Sequence, residues 1–188
     1  MRNVIIFGEP RSGKSTLANM IADKFGYHII HVDAIRGAFQ KIYPELGIAP
    51  DKAMKNERFQ LFLQEYLKKN TEEERNKYGH VLEGCETSVE DCDRLFNDGE
   101  NIIYYLAPVA ISSEEFFNNI RAYDTENDWS YDRSDVALME DVGNMIKRGK
   151  ELKEACLKHK IKFVDTSHDR QENLNKILEE IARQLEIA

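Results

Sequence analysis

Five short apolar runs punctuate the chain, and helical periodicities fill the gaps between them. The first run, Val4, Ile5, Ile6 and Phe7, is unbroken, which predicts a strand buried on both faces. Similar runs occupy residues 28–32, 80–84, 101–106 and 161–164. After the first strand, Leu17, Met20 and Ile21 share one face of a predicted helix over 16–24. Ile35, Phe39 and Ile42 repeat that spacing, and Pro44, Gly47 and Pro50 then mark a loop. Residues 51–69 predict a helix whose stripe of Met54, Phe59, Phe62, Leu63, Tyr66 and Leu67 reads as core packing. Thr71 with Glu74 reads as a capping box opening a short helix that Gly79 ends. Further helices are predicted over 89–96, from Ser112 to about residue 123, and over 135–160 with Met139, Val142, Ile146, Gly149, Leu152 and Cys156 on one side. Leu174, Ile177, Leu178, Ile181 and Leu185 mark the last. Strands alternating with helices predict an α/β fold, a parallel sheet wrapped on both faces.

The turn after the first strand carries the most specific chemistry. Gly8, Glu9, Pro10, Arg11, Ser12, Gly13, Lys14 and Ser15 spell G-x-x-x-x-G-K-[ST], between a strand and a helix that begins at Thr16. A polyphosphate needs many donors and no bulk near its oxygens. Glycines let the backbone turn successive N–H groups inward, and the helix adds its unpaired amides and the positive end of its dipole. Lys14 suits the β and γ oxygens. The Ser15 hydroxyl suits Mg²⁺, which prefers oxygen ligands.

Two carboxylates stand at the ends of other predicted strands. Ligands of open α/β sheets sit beyond the carboxyl ends of the strands, so Asp33 belongs at the same edge as the phosphate loop, with Arg36 one turn later. An Asp here also suits a helix N-cap. Glu83, ending the run at 80–84, is a carboxylate beside apolar residues and requires a partner, such as a Mg²⁺-bound water, an acceptor hydroxyl or Lys14.

Composition narrows the setting. The 188 residues suit one α/β domain, and 41% hydrophobic residues exclude a disordered chain. A net charge of −8 argues against a nucleic-acid partner, and no apolar run reaches the ~20 residues of a membrane span. Cys85, Cys92 and Cys156 form no C-x-x-C pair, and the five histidines have no metal-ligand spacing, so free thiols in a reducing cytoplasm are expected. The sequence is read as a monomer or homodimer.

Over residues 8–16 the chain resembles the small P-loop kinases, the group that includes shikimate, adenylate, uridine and nicotinamide riboside kinases. The resemblance implies a five-stranded parallel sheet of order 2-3-1-4-5 in a single domain, with acceptor-binding helices over 34–78 and a lid over 112–134. It implies ATP and Mg²⁺ as cofactors and transfer of the γ-phosphoryl group to a small-molecule acceptor. Carried over by position, Gly8, Glu9, Arg11, Ser12, Gly13, Lys14, Ser15 and Thr16 would hold the nucleotide, and Thr166 would lie beside the adenine. Asp33 would position the acceptor hydroxyl, with Arg36, Arg58 and Glu83 nearby; Ser15 and Glu83 would direct Mg²⁺; Arg121 and Arg133 would clamp phosphates from the lid. Adenylate kinases have an Arg-containing Gly-Phe-Pro-Arg-Thr stretch after the third strand. Here the stretch reads Gly84, Cys85, Glu86, Thr87, whose carboxylate repels a phosphate, and shikimate kinase's run of glycines is also missing. A hydroxyl acceptor is therefore expected. The competing readings are a nucleoside monophosphate kinase and a P-loop ATPase or switch without a small acceptor; the N-K-x-D motif of GTPases is absent.

Overall fold

Each apolar run becomes a strand in the computed structural model, which describes residues 2–50, 52–73 and 78–186. In chain order the elements are β1 (Asn3–Gly8), α1 (Lys14–Phe25), β2 (His28–His31), α2 (Val32–Ile42), α3 (Glu57–Glu73), β3 (His80–Gly84), α4 (Val89–Phe96), β4 (Asn101–Ala107), α5 (Ser113–Tyr123), α6 (Asp135–His159), β5 (Lys162–Asp165) and α7 (Arg170–Glu186). Short 3-10 turns at Pro44–Leu46 and Ala53–Lys55 join α2 to α3. The sheet order is β2-β3-β1-β4-β5, and each neighbouring pair is parallel.

Strand periodicity explains the layering. Ile5 and Phe7 point into one core with Leu82, Tyr105, Phe59, Leu63, Cys92 and Cys156. Val4 and Ile6 point the other way, into a core of Leu17, Ile21, Tyr104, Leu174 and Ile181. Helices α1 and α7 cover the second face, and α3, α4 and α6 cover the first. A smaller cluster joins Phe116 and Ile120 of α5 to Leu138, Val142 and Met145 of α6.

Four local expectations change. The predicted helix at 51–69 begins late: after the turn at Ala53–Lys55, the Asn56 side chain accepts from the Phe59 N–H at 3.1 Å and starts α3. Its stripe divides, since Phe59, Leu63 and Leu67 are buried while Met54, Phe62 and Tyr66 are exposed. Thr71 opens no new helix; it lies inside α3 and its hydroxyl donates to the Leu67 carbonyl at 3.0 Å, while Glu74 lies outside the described residues. On α6, Leu138 and Met145 are buried and Met139 is exposed.

Candidate active site

The loop after β1 is shaped by two close approaches. Gly8 has φ 137°, and a Cβ there would stand 1.9 Å from the Leu106 carbonyl oxygen on β4. That contact leaves the neighbouring Glu9 N–H free to donate to Leu106 O at 3.0 Å. Gly13, at φ 93°, caps α1 with no side chain, so the first amides of the helix keep their hydrogen-bonding capacity. Lys14 is 7% exposed, and its Nζ donates to the Glu9 carbonyl at 2.7 Å, which folds the ammonium into the loop. The Ser12 hydroxyl is buried with no hydrogen-bond partner. An orphan hydroxyl, a side-chain-free helix start and a buried ammonium in one loop fit a polyphosphate.

The Ser15 hydroxyl donates to Glu83 Oε2 at 3.2 Å, and Glu83 Oε1 lies 2.6 Å from Nδ1 of His31. Parallel pairing of β3 with β1 and β2 brings these three side chains to one strand edge. Two oxygens, a hydroxyl and a carboxylate, suit Mg²⁺, which takes its other ligands from phosphates and water. Among the described residues there is no group of three or more His, Cys, Asp or Glu that would hold a metal by protein ligands alone.

On the β4–β5 side of the loop lies a cavity of about 630 Å³. Arg11, Lys14 and Thr16 line it together with Phe116 and Ile120 of α5 and with Thr166 and Arg170. The Thr166 hydroxyl is buried and unpartnered. Its loop is held to β4 by Thr166 N–H donating to Ala107 O at 3.1 Å, and by Ser167 Oγ accepting the amides of Val109 and Ala110 at 2.9 and 2.8 Å. The cavity's position and its orphan donor fit a nucleoside joined to a phosphate in the loop.

On the β2–β3 side stands a second cluster. Arg36 Nε donates to Glu86 Oε1 at 2.9 Å, and its Nη2 lies 3.6 Å from Asp33 Oδ1. Glu86 Oε2 accepts the Cys85 amide at 2.8 Å. The backbone turn holding Glu86 is pinned by Gln60 of α3, whose Nε2 donates to Glu86 O at 2.6 Å, and by Tyr105, whose hydroxyl donates to the Thr87 carbonyl at 3.1 Å. Burial, followed by the hydrogen bond and charge of Asp33, pushes the Glu86 carboxyl up to about 7. Asp33 moves the other way, held low by its hydrogen bond to Glu86 and by the charges of Arg36 and Lys14. Of the two, Glu86 is therefore the one that binds a proton more readily, and Asp33 the one that stays ionised. Asp33 is not the cap of α2, a position taken by His31; it sits in the first turn with its side chain 62% exposed. The Cys85 thiol, beside Lys14, is pushed up to about 11, chiefly by burial.

The arginines fall differently from the sequence expectation. Neither Arg121 nor Arg133 lines the cavity. Arg121 is tied into its own segment by Asp135 and by the carbonyls of Ser130 and Arg133, and Arg133 pairs with Asp141 at 2.7 Å. Aspartates close in sequence capture both before they reach the loop. Arg58 lines a separate cavity of about 470 Å³ with Phe39, Glu45 and Phe62. Among the described residues three other arginines lie at the loop, and one of them, Arg170, has its Cδ 3.4 Å from where a Cβ on Gly13 would stand. Arg11, at φ 62°, pairs with Asp124 and, at 2.7 Å, with Asp128. Arg148 of α6, not anticipated, places Nη2 2.7 Å from Oε2 of Glu9, itself 6% exposed.

No family model and no curated protein sequence matches this chain. Solved structures do match. The chain is similar to a gluconokinase from Sinorhizobium meliloti 1021, with a TM-score of 0.53 and 15% identity over 97% of each chain. It is similar to a shikimate kinase from Bacteroides thetaiotaomicron, with a TM-score of 0.56 and 14% identity over 99% of each chain. A shikimate kinase from Acinetobacter baumannii in complex with shikimate gives 0.56 and 16%, over 98% of this chain and 94% of that one. The fold is therefore that of the small P-loop kinases.

Proposed function

We propose that this protein is an ATP-dependent phosphotransferase that moves the γ-phosphoryl group to a hydroxyl of a small molecule. One arrangement carries the reading: the ionised Asp33 stands on the β2–β3 side of Lys14, while the nucleotide-sized cavity opens on the β4–β5 side. The phosphate loop lies between them, at the point where the strand order reverses, the usual binding crevice of such sheets. The gluconokinase and shikimate kinases of the same fold support it.

ATP with Mg²⁺ supplies the transferable phosphoryl group and neutralises part of its charge. The loop amides, Ser12 and Lys14 hold the phosphate oxygens, and Ser15 with Glu83 directs the ion. Arg148, anchored on Glu9, adds a cation beside the loop. Asp33 accepts a hydrogen bond from the incoming hydroxyl and orients its oxygen toward the γ-phosphorus. Thr166 takes its missing hydrogen bond from the nucleoside. We assign residues 34–78 to acceptor binding and residues 112–134 to a lid that excludes water, a competing acceptor. Among the described residues no helix is long and apolar enough to cross a membrane.

Asp33→Asn tests the assignment. It keeps the size of the side chain and removes the charge, so acceptor-dependent turnover should fall at least a hundredfold while affinity for an ATP analogue stays within about twofold. Turnover close to wild type in the folded variant would remove Asp33 from the mechanism.

A further inference from the structure

We infer that the acceptor is an uncharged polyhydroxyl compound, carrying neither a carboxylate nor a phosphate of its own. The inference rests on the phosphotransferase reading and concerns the charge left over on the acceptor side of the loop.

An anionic acceptor has to be met by cations with free capacity, because each charge leaving water loses solvation that the protein must replace. The cations touching this site have none to spare. Among the described residues, Arg36 is the cation hydrogen-bonded into the Asp33–Glu86 cluster. Its Nε is bonded to Glu86 at 2.9 Å, its Nη1 to Gln40 Oε1 at 3.3 Å, and its Nη2 faces Asp33 at 3.6 Å. Its side chain is 16% exposed and that of Glu86 5%, so the pair is buried together. With Asp33 ionised, the trio carries no net charge when Glu86 is protonated and −1 when it is not. It has no state with a net positive charge.

Two arginines at the phosphate loop are committed in the same way. Arg148 is held by Glu9 through three contacts of 2.7 to 3.1 Å. Turning it toward an acceptor would strand a buried carboxylate in the phosphate loop. Arg11 is divided between Asp124 and Asp128. Arg58 lines another cavity, whose walls include none of Asp33, Arg36 and Glu86. Lys14 and, on the nucleotide side against Gly13, Arg170 remain, and the phosphates of the nucleotide use them.

Hydroxyl groups meet the opposite situation. Asp33 has an exposed carboxylate with acceptor capacity beyond its bonds to Glu86 and Arg36, and an O–H donated to a carboxylate is a strong, short hydrogen bond. A polyol offers several such donors and brings no charge to be desolvated. Sugars and nucleosides both satisfy this chemistry.

Matched pairs of neutral and acidic acceptors test the inference: glucose against gluconate, glycerol against glycerate, adenosine against AMP. Each is assayed with the whole protein, ATP and Mg²⁺. In every pair that supports turnover, kcat/KM for the neutral member should exceed that for the acid by tenfold or more. Which pair responds separates the sugar source from the nucleoside one. Glu86→Gln abolishes the −1 state of the trio, so at pH 8, above the point where Glu86 titrates, it should shift the ratio toward the acid at least fivefold. An acidic member preferred by the wild type overturns the inference and leaves the kinase reading intact. An unchanged ratio at pH 8 in a folded Glu86→Gln protein also overturns it. ATP consumption unaffected by any of the six compounds defeats the phosphotransferase reading and this inference with it.

Discussion

Arg148 and Glu9 join the ends of the fold: the Arg148 Nε lies 3.1 Å from each Glu9 oxygen and its Nη2 2.7 Å from Oε2, across 139 positions of sequence. Glu9 is buried beside the peptide carbonyl that receives the Lys14 ammonium, so the pair sets the shape of the phosphate loop. Hydrogen bonding to Glu9 raises the Arg148 guanidinium above its usual range. Arg148→Ala leaves a buried carboxylate without its partner. Because Arg148 is half exposed, the cost should be about 1–2 kcal/mol rather than the larger figure of a fully buried pair. Urea unfolding measures it, and adding Glu9→Gln should recover part of the loss. Equal loss in the single and double variants would mean the pair is not coupled.

Lys14→Ala should leave the fold intact and lower phosphoryl transfer by several orders of magnitude, on the order of 4 kcal/mol or more of transition-state stabilisation. The buried ammonium is folded into the loop, its Nζ 2.7 Å from the Glu9 carbonyl. Wild-type turnover in a folded Lys14→Ala protein rules out the phosphate-loop assignment.

Trp129 gives an optical readout. It follows Asp128, which holds Arg11 of the phosphate loop at 2.7 Å, and it is 48% exposed. Phosphate oxygens entering the loop compete with Asp124 and Asp128 for Arg11, so adding an ATP analogue with Mg²⁺ should change tryptophan emission. Arg11→Ala should reduce the change. A flat titration, at concentrations where calorimetry shows binding, counts against coupling between the loop and residues 112–134.

Stability should carry the signature of Glu86. Its carboxyl titrates near 7 in the fold against an ordinary 4.5. Between those values the unfolded chain has already released the proton that the folded chain keeps, so this group's contribution to stability falls as pH rises, with the full penalty above about 7. Asp33, held below its ordinary 3.8, contributes stability above that pH and loses it as acid is added. Glu86→Gln does not titrate. Relative to wild type its unfolding free energy should improve between pH 4.5 and 8 by an amount on the order of 1–3 kcal/mol. Parallel pH profiles for the two proteins would show that Glu86 is ionised in the fold throughout.

What sequence made legible was what depends on near neighbours. The run Val4 to Phe7, the glycines at 8 and 13, and the Lys14–Ser15 pair are local patterns, and the strand–helix alternation follows from them. The late start of α3 was also written locally, in Asn56, and was hidden by the apolar stripe around it. The acids that capture Arg121 and Arg133 lie within 14 positions, so their pairing was readable too. Arg148 was not, because only the crossover of α6 over the sheet sets it against Glu9. Glu86 was visible as a carboxylate hostile to phosphate. Its neutralising partner Arg36 comes from another strand's end, 50 positions away, and becomes apparent only once β2 and β3 are side by side.

The central claim is transfer of phosphate to an alcohol. Its most direct test is ³¹P NMR of the protein with ATP, Mg²⁺ and a pool of sugars, polyols and nucleosides. The account requires the ATP signals to decline as a phosphate monoester resonance grows, with ADP as coproduct and Asp33→Asn suppressing both. Inorganic phosphate as the sole product would make the protein an ATPase. A new diphosphate formed only when nucleoside monophosphates are supplied would make it a nucleotide kinase. Either result contradicts the account.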